Sequence, residues 1–159
     1  MKTYRSPREL LMEMDRLLDA NKPSFHHSPL EDVIELICRG RHYTWMGIYL
    51  ALGKSHHQQL LDAGQDVHPG THNCTPGKTQ QPETRTKILV SMKLGGRELG
   101  VLDMESDREN AFGTEDRVLL ENVAAGLACF LAGPGKYLVR RARNLQSAEP
   151  SRSAAVGEC

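Results

Sequence analysis

Aromatic side chains are scarce in this chain of 159 residues, at 5% of the total with a single tryptophan, Trp45. A surface that stacks nucleic-acid bases is therefore not expected. Charge of one sign is also missing, because 20 basic and 20 acidic side chains cancel. No overall field draws the protein to nucleic acid or to an anionic membrane. There is no apolar run long enough for a membrane span. The first residues, MKTYRSPREL, lack the apolar centre of a secretion signal. The cysteines Cys38, Cys74, Cys129 and Cys159 form no CxxC pair and no regular framework. Such spacing suits free thiols in a reducing compartment. The expectation is one soluble, cytoplasmic domain of a size that can bury a core.

The apolar pattern supplies the elements. Ser6-Pro7-Arg8-Glu9 and Ser28-Pro29-Leu30-Glu31 both read as helix starts, with a capping serine, proline at the first turn and a glutamate three residues on. Leu10, Leu11, Met14, Leu17 and Leu18 follow helical spacing in the first, and Val33, Ile34 and Ile37 in the second. Tyr43 to Leu52 reads as a strand, with Trp45, Gly47 and Tyr49 on one face and Met46, Ile48 and Leu50 on the other. A weaker strand, roughly Gln58 to Ala63, completes a hairpin. Gly64 to Arg85 has no periodicity and reads as a long loop.

Thr86 to Leu94 and Arg97 to Asp107 flank Gly95-Gly96, a strong hairpin signal. Setting Leu94 across from Arg97 and continuing the alternation puts Ile88, Val90, Met92 and Leu94 on the face of Leu99, Val101, Asp103 and Glu105. Leu89, Leu102 and Met104 then take the other face, and Lys93 lies opposite Glu98. Two carboxylates at the end of an apolar face are the anomaly in this pattern. Thr114 is expected to cap a final helix with Val118, Leu119, Val123, Leu127 and Phe130 on its buried face. Cys38 and Cys129 are placed on apolar helix faces. Lys136 to Arg143 suits a short basic helix, whose Arg140, Arg141 and Arg143 read as a solvated helix end. The fold class is α+β, with helices on one face of an antiparallel sheet and a loop over the other. The division is 1–27 for an N-terminal helix and linker, 28–135 for the domain, and 136–159 for the helix end and a disordered tail.

Gly100-Val101-Leu102-Asp103, Phe112-Gly113-Thr114-Glu115-Asp116 and Trp45-Met46-Gly47-Ile48-Tyr49-Leu50 together resemble the GAF domain family over roughly Leu30 to Ala132. The nearest branch is that of the free methionine-(R)-sulfoxide reductases. The resemblance implies a sheet with helices on one side and, on the other, a loop-covered pocket for a small ligand. Trp45, Tyr49, Asp103 and Glu105 would face that pocket. Aromatic rings beside carboxylates suit an ammonium-bearing ligand. The chain departs from the branch where its catalytic cysteine belongs, near Gln80, the nearest thiol being Cys74. It departs again at Lys87, which stands where the branch has an acid. The branch's helix between the second and third strands, with its additional cysteine, has no counterpart in Gly64 to Arg85.

The expected function is a non-catalytic ligand-binding, sensory or interaction module without its own output domain. It would need no cofactor or metal, and would pair as a homodimer through its terminal helices. The alternatives are a divergent thiol reductase using Cys74, and a pocketless dimerisation scaffold. His68, His72 and Cys74 form an H-x3-H-x-C run that matches no common zinc site.

Overall fold

The computed structural model describes residues 4–20, 28–51, 79 and 82–141 in full and the backbone of 57–64. Helices α1 (Pro7–Ala20) and α2 (Pro29–Gly40) precede strands β1 (Trp45–Ala51) and β2 (His57–Gly64). Strands β3 (Thr86–Leu94) and β4 (Arg97–Ser106) and helix α3 (Thr114–Ala132) follow, with a further short helical segment over 136–141. Both proline-led helix starts form as the sequence predicts. Ser6 Oγ accepts from the Glu9 amide at 3.2 Å, and Ser28 Oγ from the Leu30 amide at 3.2 Å. The cap of α3 differs. The helix opens at Thr114, but Gly113 is the cap residue, and its amide donates to Asp116 Oδ2 at 3.3 Å.

The sheet is antiparallel, in the order β2-β1-β4-β3. The turn at Gly95-Gly96 has φ values of 59° and 80°, which glycine adopts without strain. The helices cover one face. Met46, Ile48, Leu50, Val90, Met92, Leu102 and Met104 from the strands form a single core with Leu10, Met14, Ile34, Ile37, Leu119, Val123 and Leu127 from the helices. Helix α1 buries its apolar stripe in this core between α2 and α3. Among the described residues no helix is long and apolar enough to cross a membrane.

The β3–β4 register corrects the alternation drawn from the sequence. Leu94 pairs with Arg97 and Lys93 with Glu98, as expected, but Met92 then pairs with Gly100. Leu99 is the extra residue of a β-bulge, and beyond it the phase of β3 against β4 is shifted by one. Ile88 therefore lies across from Met104 and Val90 from Leu102, on the helix side, while Lys87 and Leu89 lie across from Glu105 and Asp103. The sequence had set Ile88, Val90 and Met92 with the two acids, and Leu89 with Leu102 and Met104. Just past the bulge, β4 presses on β1. A Cβ at Gly100 would stand 2.0 Å from the Tyr49 carbonyl oxygen and 2.6 Å from Met92 Cε.

Val118 is also corrected, at 52% exposure. The buried face of α3 runs through Leu119, Leu120, Val123, Ala124, Leu127, Ala128 and Leu131, and Val118 points away from it. Cys129 lies on that same outer side and is exposed, and Cys38 on α2 is half-buried.

A buried polar cluster joins the start of α3 to the segment entering β1. Tyr43 Oη donates to Asp116 Oδ1 at 2.6 Å, and Arg41 Nη2 donates to the same oxygen at 2.9 Å. Arg41 Nη1 reaches Glu115 at 3.2 Å, and His42 Nε2 donates to the Ala111 carbonyl at 2.6 Å. Ser106 Oγ donates to the His42 carbonyl at 2.8 Å, tying the end of β4 to the same point. Burial alone pushes the Asp116 carboxyl up, but the Tyr43 hydroxyl and the Arg41 guanidinium outweigh it and hold it below its ordinary range. Burial, and then the bond to Asp116, push the Tyr43 phenol far above its usual value, so it stays a donor.

Two expectations follow from these contacts. Asp116→Ala leaves Arg41 buried without its main partner and should cost about 3–5 kcal/mol in urea unfolding. Because the folded Asp116 value is depressed, its contribution is present above the unfolded carboxyl value of about 3.9 and is lost as pH falls through the folded one. Asp116→Asn should therefore show a flatter fall in melting temperature below about pH 4 than the parent chain. Gly100→Ala, which must open the β1–β4 contact, should cost roughly 2–4 kcal/mol by the same unfolding measurement.

Candidate functional site

On the sheet face away from the helices, β1 and β4 set Trp45 across from Glu105, Gly47 from Asp103 and Tyr49 from Val101. The four residues predicted from the sequence thus share one face and two neighbouring strands. Trp45, Tyr49, Asp103 and Glu105 are all at 0% exposure, so the acids do not sit at a frayed, solvated strand end. Trp45 and Tyr49 form a buried apolar cluster of their own, separate from the helix-side core.

The rings close over the glycine between them. A Cβ at Gly47 would stand 2.3 Å from Trp45 Cη2 and 3.0 Å from Tyr49 Cε2. Only a residue without a side chain lets both rings lean there. Gly47 is the cross-strand partner of Asp103, so the aromatic surface is gathered beside that carboxylate. The indole Nε1 of Trp45 is fully buried and meets no acceptor among the described residues.

Glu105 is held from two sides. Its Oε1 accepts from Thr84 Oγ1, and its Oε2 lies 3.9 Å from Lys87 Nζ. The Lys87 side chain is 21% exposed and that of Glu105 is 0% exposed. The backbone of Glu105 is also engaged, its carbonyl accepting from the Thr44 amide at 2.9 Å. The Arg85 amide bonds to the Ser106 carbonyl at 2.8 Å, which fixes the entry to β3 beside this end of β4.

The Lys87–Glu105 pair was not foreseen. Lys87 stands out in the sequence only as a charge of unexpected sign, and the bulge that brings it opposite Glu105 carries no local signature beyond Gly100. The Arg41–Tyr43–Asp116 cluster was likewise missed, although Asp116 belongs to the quoted Phe112 to Asp116 run. Cys74, His68, His72 and the run over Gly64 to Arg85 up to Gln81 lie outside the described residues, apart from Gly64 itself and Thr79.

No protein-family profile and no curated protein sequence matches the chain. Solved structures do resemble it. The type II free methionine-R-sulfoxide reductase from Thermoplasma acidophilum is 19% identical, with 64% of this chain and 89% of that one covered at a TM-score of 0.54. The fRMsr of Staphylococcus aureus, solved in complex with substrate, is 18% identical over 82% of this chain and 99% of its own, at 0.56. A structure of the GAF domain is 19% identical, covers 75% of this chain and 83% of that one, and has a TM-score of 0.55. At these identities the likeness is one of architecture, and the architecture is the GAF fold.

Proposed function

We propose that the sheet face away from the helices binds a small ligand carrying an ammonium group, and that the chain acts as a non-catalytic sensory or interaction module. The observation that carries this reading is the gathering of Trp45, Tyr49 and Asp103 around Gly47, with Glu105 one pair along, all buried. Aromatic faces and a carboxylate attract a cation by complementary means, the ring quadrupole and the full charge. Both gain strength away from water. The Trp45 indole N–H favours a ligand that also offers a hydrogen-bond acceptor, since a buried donor left unmade costs free energy. A signal from the bound state would pass to a separate partner.

The likeness to two reductases favours a second reading, a thiol reductase of free methionine-(R)-sulfoxide acting through Cys74. Thiol reduction of a sulfoxide needs a second thiol to resolve the intermediate. Of the described cysteines, Cys129 is exposed on the outer side of α3 and Cys38 is half-buried on α2, so neither shares the sheet face with Trp45. Lys87, next to Glu105, also changes the charge of that face.

Because the chain has a single tryptophan, its fluorescence reports on this site alone. Titration with n-butylammonium chloride should change Trp45 emission saturably, and n-butanol should not. A flat response to the amine would remove the ligand reading. In a separate assay, free methionine-(R)-sulfoxide with dithiothreitol should not be consumed. Turnover that Cys74→Ser abolishes would put the reductase reading in its place.

A further inference from the structure

We infer that the outer face of α3 pairs with the same face of a second copy of this chain, the two helices running antiparallel about Ala125. The pairing is separate from the ligand site proposed above and needs no ligand.

Helix α3 carries no charged residue from Asn122 to Ala132. A helix on the surface of a domain normally shows charged or polar residues along its outer side, and one that lacks them all round is normally covered all round. The inner side of α3 is covered by the sheet, and its flank by α1, where a Cβ at Gly126 would stand 2.6 Å from Met14 Cε. The outer side is open. Val118 is 52% exposed, Asn122, Ala125 and Cys129 are exposed with it, and Ala132 is half-buried at the end. These residues are spaced by four, three, four and three, the spacing that keeps one seam of a helix turned toward another helix. At 1.5 Å per residue the seam from Val118 to Ala132 is about 21 Å long. Ala125, Cys129 and Ala132 are small, so a second helix can approach closely. Helix α1 offers no such face, because Arg8, Glu9, Asp15, Arg16 and Asp19 are all exposed along it.

Charge selects the occupant and its direction. Glu115 and Glu121 flank the seam toward the N-terminus of α3, and the exposed Lys136, Arg140 and Arg141 follow its C-terminus. Arg117 lies about 100° around the helix from Val118, off the seam. A parallel copy would set acid on acid and base on base. An antiparallel copy, related by a twofold axis at Ala125, sets each acidic end on a basic one and aligns the helix dipoles favourably. Val118 then faces Ala132 of the second copy, and Glu115 lies level with Gly135, next to Lys136. Glu121 faces Cys129, whereas the two Cys129 residues stand about 12 Å apart along the axis.

Sedimentation equilibrium on the full chain should show a monomer–dimer equilibrium that weakens as salt rises. Ala125→Arg and Val118→Glu should each abolish the dimer and keep the circular dichroism spectrum of the parent, since both positions are exposed. Direction is read by oxidation with copper–phenanthroline in a chain carrying Cys38→Ala, Cys74→Ala and Cys159→Ala. With Cys129 as its one thiol, this chain should form no disulfide-linked dimer, because the sulfurs are too far apart. Adding Glu121→Cys should produce the linked dimer, and Ala125→Arg should remove it again. A linked dimer through Cys129 alone would make the helices parallel and overturn the inference. So would failure of the Glu121→Cys chain to link, or a dimer that survives both Ala125→Arg and Val118→Glu. Should Ala125→Arg fail to fold, Val118→Glu decides. A parent chain that is monomeric at every concentration reached also overturns it and leaves the face to a different protein. None of these outcomes bears on the ligand reading, which Trp45 emission tests by itself.

Discussion

Strand β4 is the constraint from which the rest of the molecule is positioned. It is central in the sheet, paired to β1 on one side and β3 on the other, so its register fixes what either neighbour presents to each face. A strand alternates strictly, and one with both faces buried must satisfy two environments at once. From Gly100 to Ser106 every residue of β4 is buried. Leu102 and Met104 enter the helix-side core, while Val101, Asp103 and Glu105 point to the other side. Carboxylates survive there only because something in the structure meets their charge. For Glu105 that something is Lys87 and Thr84.

The ends of the sheet are secured separately. Asp116 reaches back from the first turn of α3 to Gly113, Arg41 and Tyr43, and so binds the helix to the residues that lead into β1. Ser106 and Arg85 do the same for the junction of β4 and β3. Tyr43 stacks on Phe112 with ring centroids 5.5 Å apart, giving this polar knot an apolar flank. The sheet face away from the helices thus lies between a sheet held in register and a set of hydrogen bonds that stop its strands from splaying.

Much of this was legible in the sequence. Helix starts follow from Ser-Pro-x-Glu, the hairpin from Gly95-Gly96, and the shared face of Trp45, Tyr49, Asp103 and Glu105 from strand alternation combined with family likeness. These are local features, governed by residues a few positions apart. What escaped was set by contacts distant in sequence. The Leu99 bulge depends on how β4 fits against β1 as well as β3, and no short motif encodes it. Val118 and Cys129 were misplaced because apolar content was read without the full turn of the helix. Arg41 and Asp116 are 75 positions apart and look like ordinary surface charges until the fold joins them.

The bulge has a wider meaning for how this face can change. Leu99 lies at the hairpin end of β4, several pairs away from Asp103 and Glu105, yet it decides whether β3 offers those acids its odd-numbered or its even-numbered side chains. Were Leu99 paired with Met92 in a regular ladder, Ile88 would lie opposite Asp103 and Lys87 would turn toward the helices. The lining of this face is therefore written partly in the phase of the chain and not only in the residues that form it. Forming or absorbing one bulge near the turn can exchange a charged wall for an apolar one in a single step.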